Sequence, residues 1–277
     1  MNRSKNGSAR HAAIFAVSCA AMSGLWAADA PVPTIQAEVA HESSQLSNGS
    51  PDWRESSLRL TQRLSQRSVR SIALTQTSRF GLQDHEVSGL LSLPLTDKLT
   101  ISFEGSFSPT HRVLARQSVA TTLQYEFLPA WIAHVGLGHR SYDTTSVDQG
   151  SLMLEHYFSS FSASAAWKPV RAAGFSSSST ELRGSYYYGD ANSIGFILSN
   201  GREITPLGPN SVVLTDVKGK VLLGRHWINS QWAVNYALSH TRQGDFYTKK
   251  KHTARCSKRF LILTCSLPST SDCTLQP

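Results

Sequence analysis

The sequence predicts an all-β protein, an antiparallel up-and-down transmembrane β-barrel of about 12–14 strands. Three observations predict it. Short segments alternate apolar with polar residues, tight turns alternate with longer polar connections, and an apolar leader opens the chain. Charged residues make up only 17% of the sequence, whereas about a quarter is usual for soluble domains. Together these features favour a sheet that encloses its polar face and turns its apolar face towards lipid.

Residues 1–30 are predicted to be a secretory signal peptide. Arg3, Lys5 and Arg10 form a positive region, the segment 12–28 is apolar, and small residues follow it. Beyond this leader no apolar run approaches the roughly 20 residues that a membrane-spanning helix needs. We therefore expect export through the inner membrane and, with the strand pattern, localisation in the outer membrane of a Gram-negative bacterium.

Five segments show the strand pattern most clearly. They are LRLTQRL (58–64), TISFEGSF (100–107), TTLQYEF (121–127), WIAHVGLGHR (131–140) and QWAVNYALS (231–239). In the first, the leucines share one face and the two arginines share the other. Successive side chains of a strand point to opposite sides, so each segment predicts a strand with one apolar and one polar face.

The connections alternate in length along the chain. Tight turns are predicted at 65–68, 96–98, 129–130, 159–160, 189–192 and 228–230. Longer connections are predicted at 42–52, 141–150, 169–179 and 200–210, and shorter ones at 80–84 and 108–111. Outer membrane barrels alternate in this way, with short turns at one end and longer loops at the other.

A secreted soluble β-sandwich that binds a partner is the alternative fold, because its strands also alternate. The tryptophans favour the membrane barrel, since Trp is enriched at the lipid–water interface. Trp53, Trp131, Trp167, Trp227 and Trp232 all lie at or near predicted strand ends.

Charged residues on the polar face are predicted to point into the barrel lumen. The candidates are Arg59, Arg63, Glu104, Arg116, Glu126, His134, Arg140, Glu155, Lys168, Arg183, Lys218 and Lys220. One hypothesis is a lumen that binds or conducts a polar substrate such as a sugar polymer. The competing hypothesis is that these charges pair with one another and fill a narrow barrel, where the lining is polar in any case.

No catalytic residue, metal ligand or cofactor is predicted. The chain has no G-x-S-x-G or H-E-x-x-H motif, and the spacing of Cys256, Cys265 and Cys273 matches no zinc site. A barrel enzyme acting on lipid or polysaccharide remains the alternative function. Nucleic acid is not an expected partner, because the net charge of +8 lies at the chain ends and residues 31–248 carry only +1.

Four segments resemble the YaiO-type outer membrane β-barrel proteins. They are residues 37–63, 119–142, 186–193 (YYYGDANS) and 244–250 (GDFYTKK). The resemblance covers about residues 34–250, and its motifs are strand-and-turn patterns without a catalytic signature. It implies a barrel with a role in exopolysaccharide export. The partners expected on this basis are outer membrane lipid, the barrel assembly machinery, and polysaccharide or the proteins of an export complex.

The tail departs from this resemblance. The family resemblance implies a final alternating strand that ends in an aromatic residue, whereas residues 249–277 are basic, carry three cysteines and end in Pro277. One hypothesis is that the reading frame slipped near Lys249–Lys251; a natural basic extension is the other, and resequencing the gene distinguishes them. We therefore expect a barrel over 31–248, a disordered tail over 249–277, and a last strand that is missing or replaced.

Overall fold

A computed structural model of the chain describes residues 34–189, 191–208 and 211–261. The predicted signal peptide, residues 1–30, lies outside the described residues. Within the described ranges fourteen antiparallel strands form one closed barrel, in which each strand pairs with its neighbours along the chain and the last pairs with the first. This part of the chain contains no helix of the length and hydrophobicity that a bilayer crossing requires.

The first seven strands are β1 (Thr34–Leu46), β2 (Trp53–Arg63), β3 (Val69–Arg79), β4 (Leu82–Pro94), β5 (Leu99–Phe107), β6 (Gln117–Leu128) and β7 (Trp131–Ser141). The other seven are β8 (Ser146–Phe158), β9 (Phe161–Ala172), β10 (Phe175–Tyr188), β11 (Asn192–Gly208), β12 (Ser211–Trp227), β13 (Trp232–Gln243) and β14 (Tyr247–Leu261). The predicted all-β class, the antiparallel up-and-down topology and the count of 12–14 strands are confirmed.

The two faces of the barrel differ as the alternation predicts. On β2, Leu58 and Leu60 point outward and are 47% and 48% exposed, whereas Glu55 and Arg59 point inward. The same exposed apolar side chains recur on the outer face of β3 to β11. Lipid offers no hydrogen bonds, so a sheet can span a bilayer only when every strand has two paired neighbours, and closure provides this.

The connections define two ends of the barrel. At the turn end, residues 64–68, 95–98, 129–130, 159–160, 189–191 and 228–231 join even strands to odd ones. The six predicted tight turns all lie there. At the loop end the two longest connections are 47–52 and 108–116. The described barrel both starts, at Thr34, and stops, at Leu261, at the turn end.

Three of the predicted long loops are largely strand. The serine run 176–180 belongs to β10, and β9 and β10 meet at a two-residue turn in which Ala173 and Gly174 have φ of 49° and 81°. Positive φ at both turn residues matches the twist of the flanking strands and allows a tight hairpin. Residues 200–208 and 146–150 are likewise strand. The Ser and Gly content of these segments suggested loops. They are strands because their backbones pair with the neighbouring strands.

The last strand was predicted to be missing or replaced, and the structure contradicts the first of these outcomes. β14 runs through the unusual segment to Leu261, and every β1 residue from Thr34 to Leu46 has a partner between Leu261 and Lys249. On its other side β14 pairs with β13 from Gln243↔Tyr247 to Trp232↔Lys258. The barrel therefore extends past residue 248 and has no open edge between β1 and β13; residues 262–277 lie outside the described residues.

Successive side chains of β14 still point alternately inward and outward, but the residues on both faces are largely polar. Lys249, Lys251, Thr253, Arg255 and Ser257 lie on the inner face. The outer face carries Lys250, His252, Ala254, Cys256, Lys258 and Phe260. A hydrophobicity pattern cannot reveal a strand without an apolar face. The slipped-frame hypothesis rested on the apparent absence of a last strand, and the pairing of β14 with β1 and β13 removes that reason for it. Resequencing the gene remains its direct test.

Aromatic rings form a girdle on the outer face at the turn end. Successive rings lie 4.0–5.9 Å apart between centroids in the order Trp131, His156, Phe158, Phe161, Tyr186, Tyr188, His226 and Tyr236. His226 hydrogen-bonds to the hydroxyls of Tyr188, at 2.6 Å, and Tyr236, at 3.3 Å. Such a belt is typical of the lipid–water boundary. Two of the predicted interface tryptophans, Trp53 and Trp227, instead point inward.

Candidate functional site: the barrel lumen

Nine of the predicted lumen residues lie on the inner face of their strands. They are Arg59, Arg63, Glu104, Glu126, His134, Arg140, Glu155, Lys168 and Arg183. Glu126 lies at the turn end, where its Oε1 accepts a hydrogen bond of 3.1 Å from the amide of Ala130 and so stabilises the β6–β7 turn. Contact of the other eight with a solute stays a prediction.

Three predicted lumen residues lie elsewhere. Lys218 and Lys220 point outward, because the inner positions of β12 around them are Val217, Gly219 and Val221. The assumption that a charged residue points inward fails on this part of β12, where the inner residues from Val217 to Val221 are small and apolar. Arg116 lies in the β5–β6 connection, where its backbone amide donates a hydrogen bond to Ser141 O at 2.8 Å.

The seam between β1 and β14 is closed by ion pairs on the inner face. Lys251 Nζ lies 2.6 Å from Glu42 Oε2, and Arg255 Nη1 lies 3.6 Å from Glu38 Oε1. The hydroxyl of Ser257 also donates to Glu38, at 3.1 Å. The register places these partners on neighbouring positions of the two strands. The basic residues that looked foreign in the sequence thus neutralise the glutamates of the first strand.

The seam predicts a charge-reversal effect. In the double variant Lys251→Glu/Arg255→Glu, four carboxylates would face one another inside the sheet, and like charges across strands are destabilising. We expect poor refolding into detergent, measured as loss of the fast-migrating band on an unheated gel. Adding Glu38→Arg and Glu42→Lys should restore that band. If the fourfold variant folds no better than the double variant, the ion pairs do not stabilise the seam.

Other inner charges also occur in pairs. Lys168 Nζ lies 2.8 Å from Glu181 Oε2, and Arg183 Nη2 lies 3.7 Å from Glu181 Oε1, so one carboxylate on β10 meets two cations. On the neighbouring strands His134 Nε2 lies 3.2 Å from Glu155 Oε2. This part of the wall matches the hypothesis of mutual pairing.

Three inner arginines near the turn end lack such pairing and form the turn-end arginine cluster, defined as Arg63, Arg225 and Arg259. Arg225 repels both of the others electrostatically. Arg63 Nη1 donates to Gln66 O at 3.2 Å, and Arg259 lies over the ring of Trp227, 3.9 Å from its centroid. In the described part of the chain, none of the three guanidinium groups has a carboxylate within 4.0 Å. The cluster is a positive zone on the inner wall.

The β5–β6 connection, residues 108–116, is fixed to the inner side of β4 and is here called the pinned loop. The Asp84 side chain is fully buried, and its Oδ2 accepts hydrogen bonds from the amides of Val113, at 2.6 Å, and Leu114, at 2.9 Å. Arg112 Nε lies 3.6 Å from the other carboxylate oxygen. Because Asp84 points inward, the pinned loop narrows the loop end of the barrel.

Trp53 lines a polar recess at the loop end together with Glu55 and Lys251. The Trp53 side chain is buried between Phe80 and Tyr247, with ring centroids 5.1 and 6.2 Å away. Lys249 Nζ and Arg79 Cζ lie 5.0 and 5.2 Å from the centre of its ring. These cation–π contacts tie β14 to β2 and β3.

Sequence reasoning missed several inner charges. Those on β1 to β12 are Glu38, Glu42, Glu55, Arg79, Asp84, Glu86, Glu181, Glu203 and Arg225. Residues two positions apart on a strand share a face, and this rule placed Arg183 inside the barrel. Applied to Glu181, which is separated from Arg183 only by the outward Leu182, the same rule would have found it. Across the described ranges, no three His, Cys, Asp or Glu side chains are placed to hold a metal ion.

Solved structures with a similar fold are outer membrane proteins and channels. The CymD monoaromatic hydrocarbon channel matches with a TM-score of 0.53 and 10% identity over 84% of this chain and 89% of that one. The COG4313 outer membrane channel from Pseudomonas putida F1 matches with a TM-score of 0.53 and 11% identity, over 84% and 97%. The Acinetobacter baumannii outer membrane protein Omp33 matches with a TM-score of 0.51 and 14% identity, over 82% and 99%.

At these identities the likeness shows the fold alone, an outer membrane barrel. No match was found among curated proteins. The family comparison is more specific: the YaiO membrane beta barrel domain matches residues 35–203, from β1 into β11. This match covers more than half of the chain, and the chain therefore belongs to the YaiO membrane beta barrel family.

Proposed function

We propose that this outer membrane barrel is a non-enzymatic channel for polar solutes. Short turns of such barrels lie in the periplasm and longer loops lie outside the cell. On that basis the turn end faces the periplasm and the pinned loop faces the exterior.

One observation carries the proposal. Glu104 and Arg225 both point to the inner face, yet both are exposed to solvent. An exposed charge on the inside requires a space that admits water. Uncompensated charges would not be stable in a dry interior, where an ion needs a partner or a hydration shell.

The solute class follows from the lining. Many inner charges are paired, and the wall between them carries part-exposed hydroxyls, including those of Thr61, Thr75 and Thr122. Such a wall offers hydrogen bonds without a strong net field, which suits a hydroxyl-rich solute. With the family resemblance, this supports passage of an exopolysaccharide, with export proteins as partners at the periplasmic end.

Ion selectivity tests the channel proposal. In planar bilayers the wild type should favour anions, because the turn-end arginine cluster lines the inner wall. The variant Arg63→Glu/Arg225→Glu should favour cations; a change of about 1 kcal/mol in ion energy alters permeability about fivefold. The matched control Arg70→Glu/Arg171→Glu reverses two exposed arginines on the outer face and should leave selectivity unchanged. A wild type that forms no conducting pore would contradict the proposal.

Sugar polymers and membrane lipids provide the second readout. Purified exopolysaccharide fragments added to one side should block the wild-type current in a concentration-dependent way. Cells with and without the protein should have the same lipid profile. A changed profile would instead support the alternative of a barrel enzyme.

A further inference from the structure

Basic side chains cluster on the outer face of β12, β13 and β14 towards the loop end. This outer basic patch consists of Lys218, Lys220, His240, Arg242, Lys250 and His252. The register brings its members together: Lys218 lies opposite Arg242, Lys220 opposite His240, and His240 opposite Lys250. Strands lie about 4.8 Å apart, so these side chains share one continuous surface across three strands.

The three lysines of the patch lack counter-charge in the protein, whereas Arg242 has a carboxylate partner. Two outward carboxylates lie nearby, and each already has an arginine: Asp245 is 3.5 Å from Arg242 and Asp216 is 4.0 Å from Arg202. Among the described residues no carboxylate lies within 4.0 Å of Lys218, Lys220 or Lys250. Lys218 lies directly opposite Arg242, and like charges opposite each other across strands are unfavourable, so an anion from outside the chain would stabilise the arrangement.

The depth of the patch identifies where those anions come from. Trp232 marks the turn-end boundary on β13, and Leu238 faces Leu222 on the apolar band above it. With a rise of about 3.3 Å per residue and a strand tilt of about 40°, His240 lies roughly 20 Å from Trp232 along the barrel axis. The apolar band of such barrels is about 25 Å tall, so His240 lies about 5 Å below the headgroup level at the loop end, and Lys218, one residue pair further towards the loops, lies at that level.

We propose that the outer basic patch binds the phosphate groups of an anionic lipid in the leaflet at the loop end. Under the proposed orientation this is the outer leaflet. Lysines reach such groups readily, because a long side chain lies along the apolar surface while its ammonium extends to the headgroup. The bound lipid would neutralise the cross-strand repulsion and cover β14 next to the seam with β1.

Native mass spectrometry of the full-length barrel in detergent tests this, with phosphorylated lipid A as the probe. Each lysine near an anionic lipid surface raises the binding affinity about fivefold. The triple variant Lys218→Gln/Lys220→Gln/Lys250→Gln should therefore bind lipid A on the order of 100-fold more weakly than the wild type. The control Arg70→Gln/Lys98→Gln/Arg171→Gln removes three exposed cations away from the patch and should bind like the wild type. Equal affinity of patch variant and wild type would overturn the proposal.

The wild type alone gives an independent test, which holds even if the patch variant does not fold. Lipid A from which both phosphates have been removed should bind far more weakly than the phosphorylated form. Equal binding of the two glycolipids would mean that acyl chains or sugars account for the affinity. Full displacement of lipid A by inorganic phosphate would show that the site takes the free ion, and would overturn the assignment to a lipid.

Discussion

A chain that stops after Thr248 is expected to lose the barrel altogether. The stop removes nearly all of β14, and with it every partner that β1 has on that side, from Lys249 to Leu261. The β13 residues from Trp232 to Thr241 lose their β14 partners, Lys258 to Lys249, at the same time. Each unpaired backbone group in lipid costs several kcal/mol, and the two exposed edges present more than ten such groups. This cost exceeds the about 5–15 kcal/mol by which folded proteins are stable.

Closure by the remaining strands does not offset the loss. β1 and β13 run in the same direction, since each pairs antiparallel with β14, so a barrel of thirteen strands would need a parallel junction between them. Glu38 and Glu42 would also lose their cations. Inner carboxylates without partners make that junction less favourable still.

Heat-modifiable gel mobility of the outer membrane fraction measures this result. The truncated chain should give only the unfolded band and should be degraded in cells. A chain that stops after Thr264 keeps all of β14 and is the matched control, which should fold. If the chain that stops after Thr248 inserts as well as this control, closure by β14 does not hold the barrel together.

Much of the fold was predictable because lipid outside and water inside impose opposite polarity on successive residues. Leu58, Arg59 and Leu60 express that constraint directly, and the tight turns at 129–130 and 159–160 interrupt it sharply. Predictions from this constraint failed on two strands whose faces do not show the expected difference in polarity. β14 has two polar faces, and β12 places Val217 inside and Lys218 outside. A prediction from hydrophobicity alone therefore missed β14 and assigned Lys218 and Lys220 of β12 to the wrong face.

The candidate site was less predictable because its contacts join distant parts of the chain. Glu42 and Lys251 are separated by almost the whole barrel, and only the register of β1 against β14 brings them to 2.6 Å. Asp84 likewise receives its hydrogen bonds from Val113 and Leu114 across β5. Alternation predicts which way a side chain points, but it carries no information on which strand supplies the partner.

Replacing Asp84 with alanine is expected to release the pinned loop. Its carboxylate is fully buried and holds two backbone amides of the loop, at 2.6 and 2.9 Å. Hydrogen bonds to a charged group contribute about 1.5–3 kcal/mol each, so the loop should lose about 3 kcal/mol or more of its local stability. Hydrogen exchange at Val113 and Leu114 should then accelerate on the order of 100-fold. Channel current should also become noisier as the loop end opens.

Asp143→Asn is the matched control for that release. Asp143 also fixes the pinned loop, through a 2.9 Å contact with His111, but its side chain is 61% exposed. Exposed ion pairs contribute only about 0–1 kcal/mol, so exchange at Val113 and Leu114 should change little. Asp84→Asn should fall between the two, because its amide oxygen can still accept from one backbone N–H. Equal protection of Val113 in all three variants and the wild type would mean that the loop is held by Ser108 and Ala115, which are also buried, and that the Asp84 carboxylate is dispensable for narrowing the lumen.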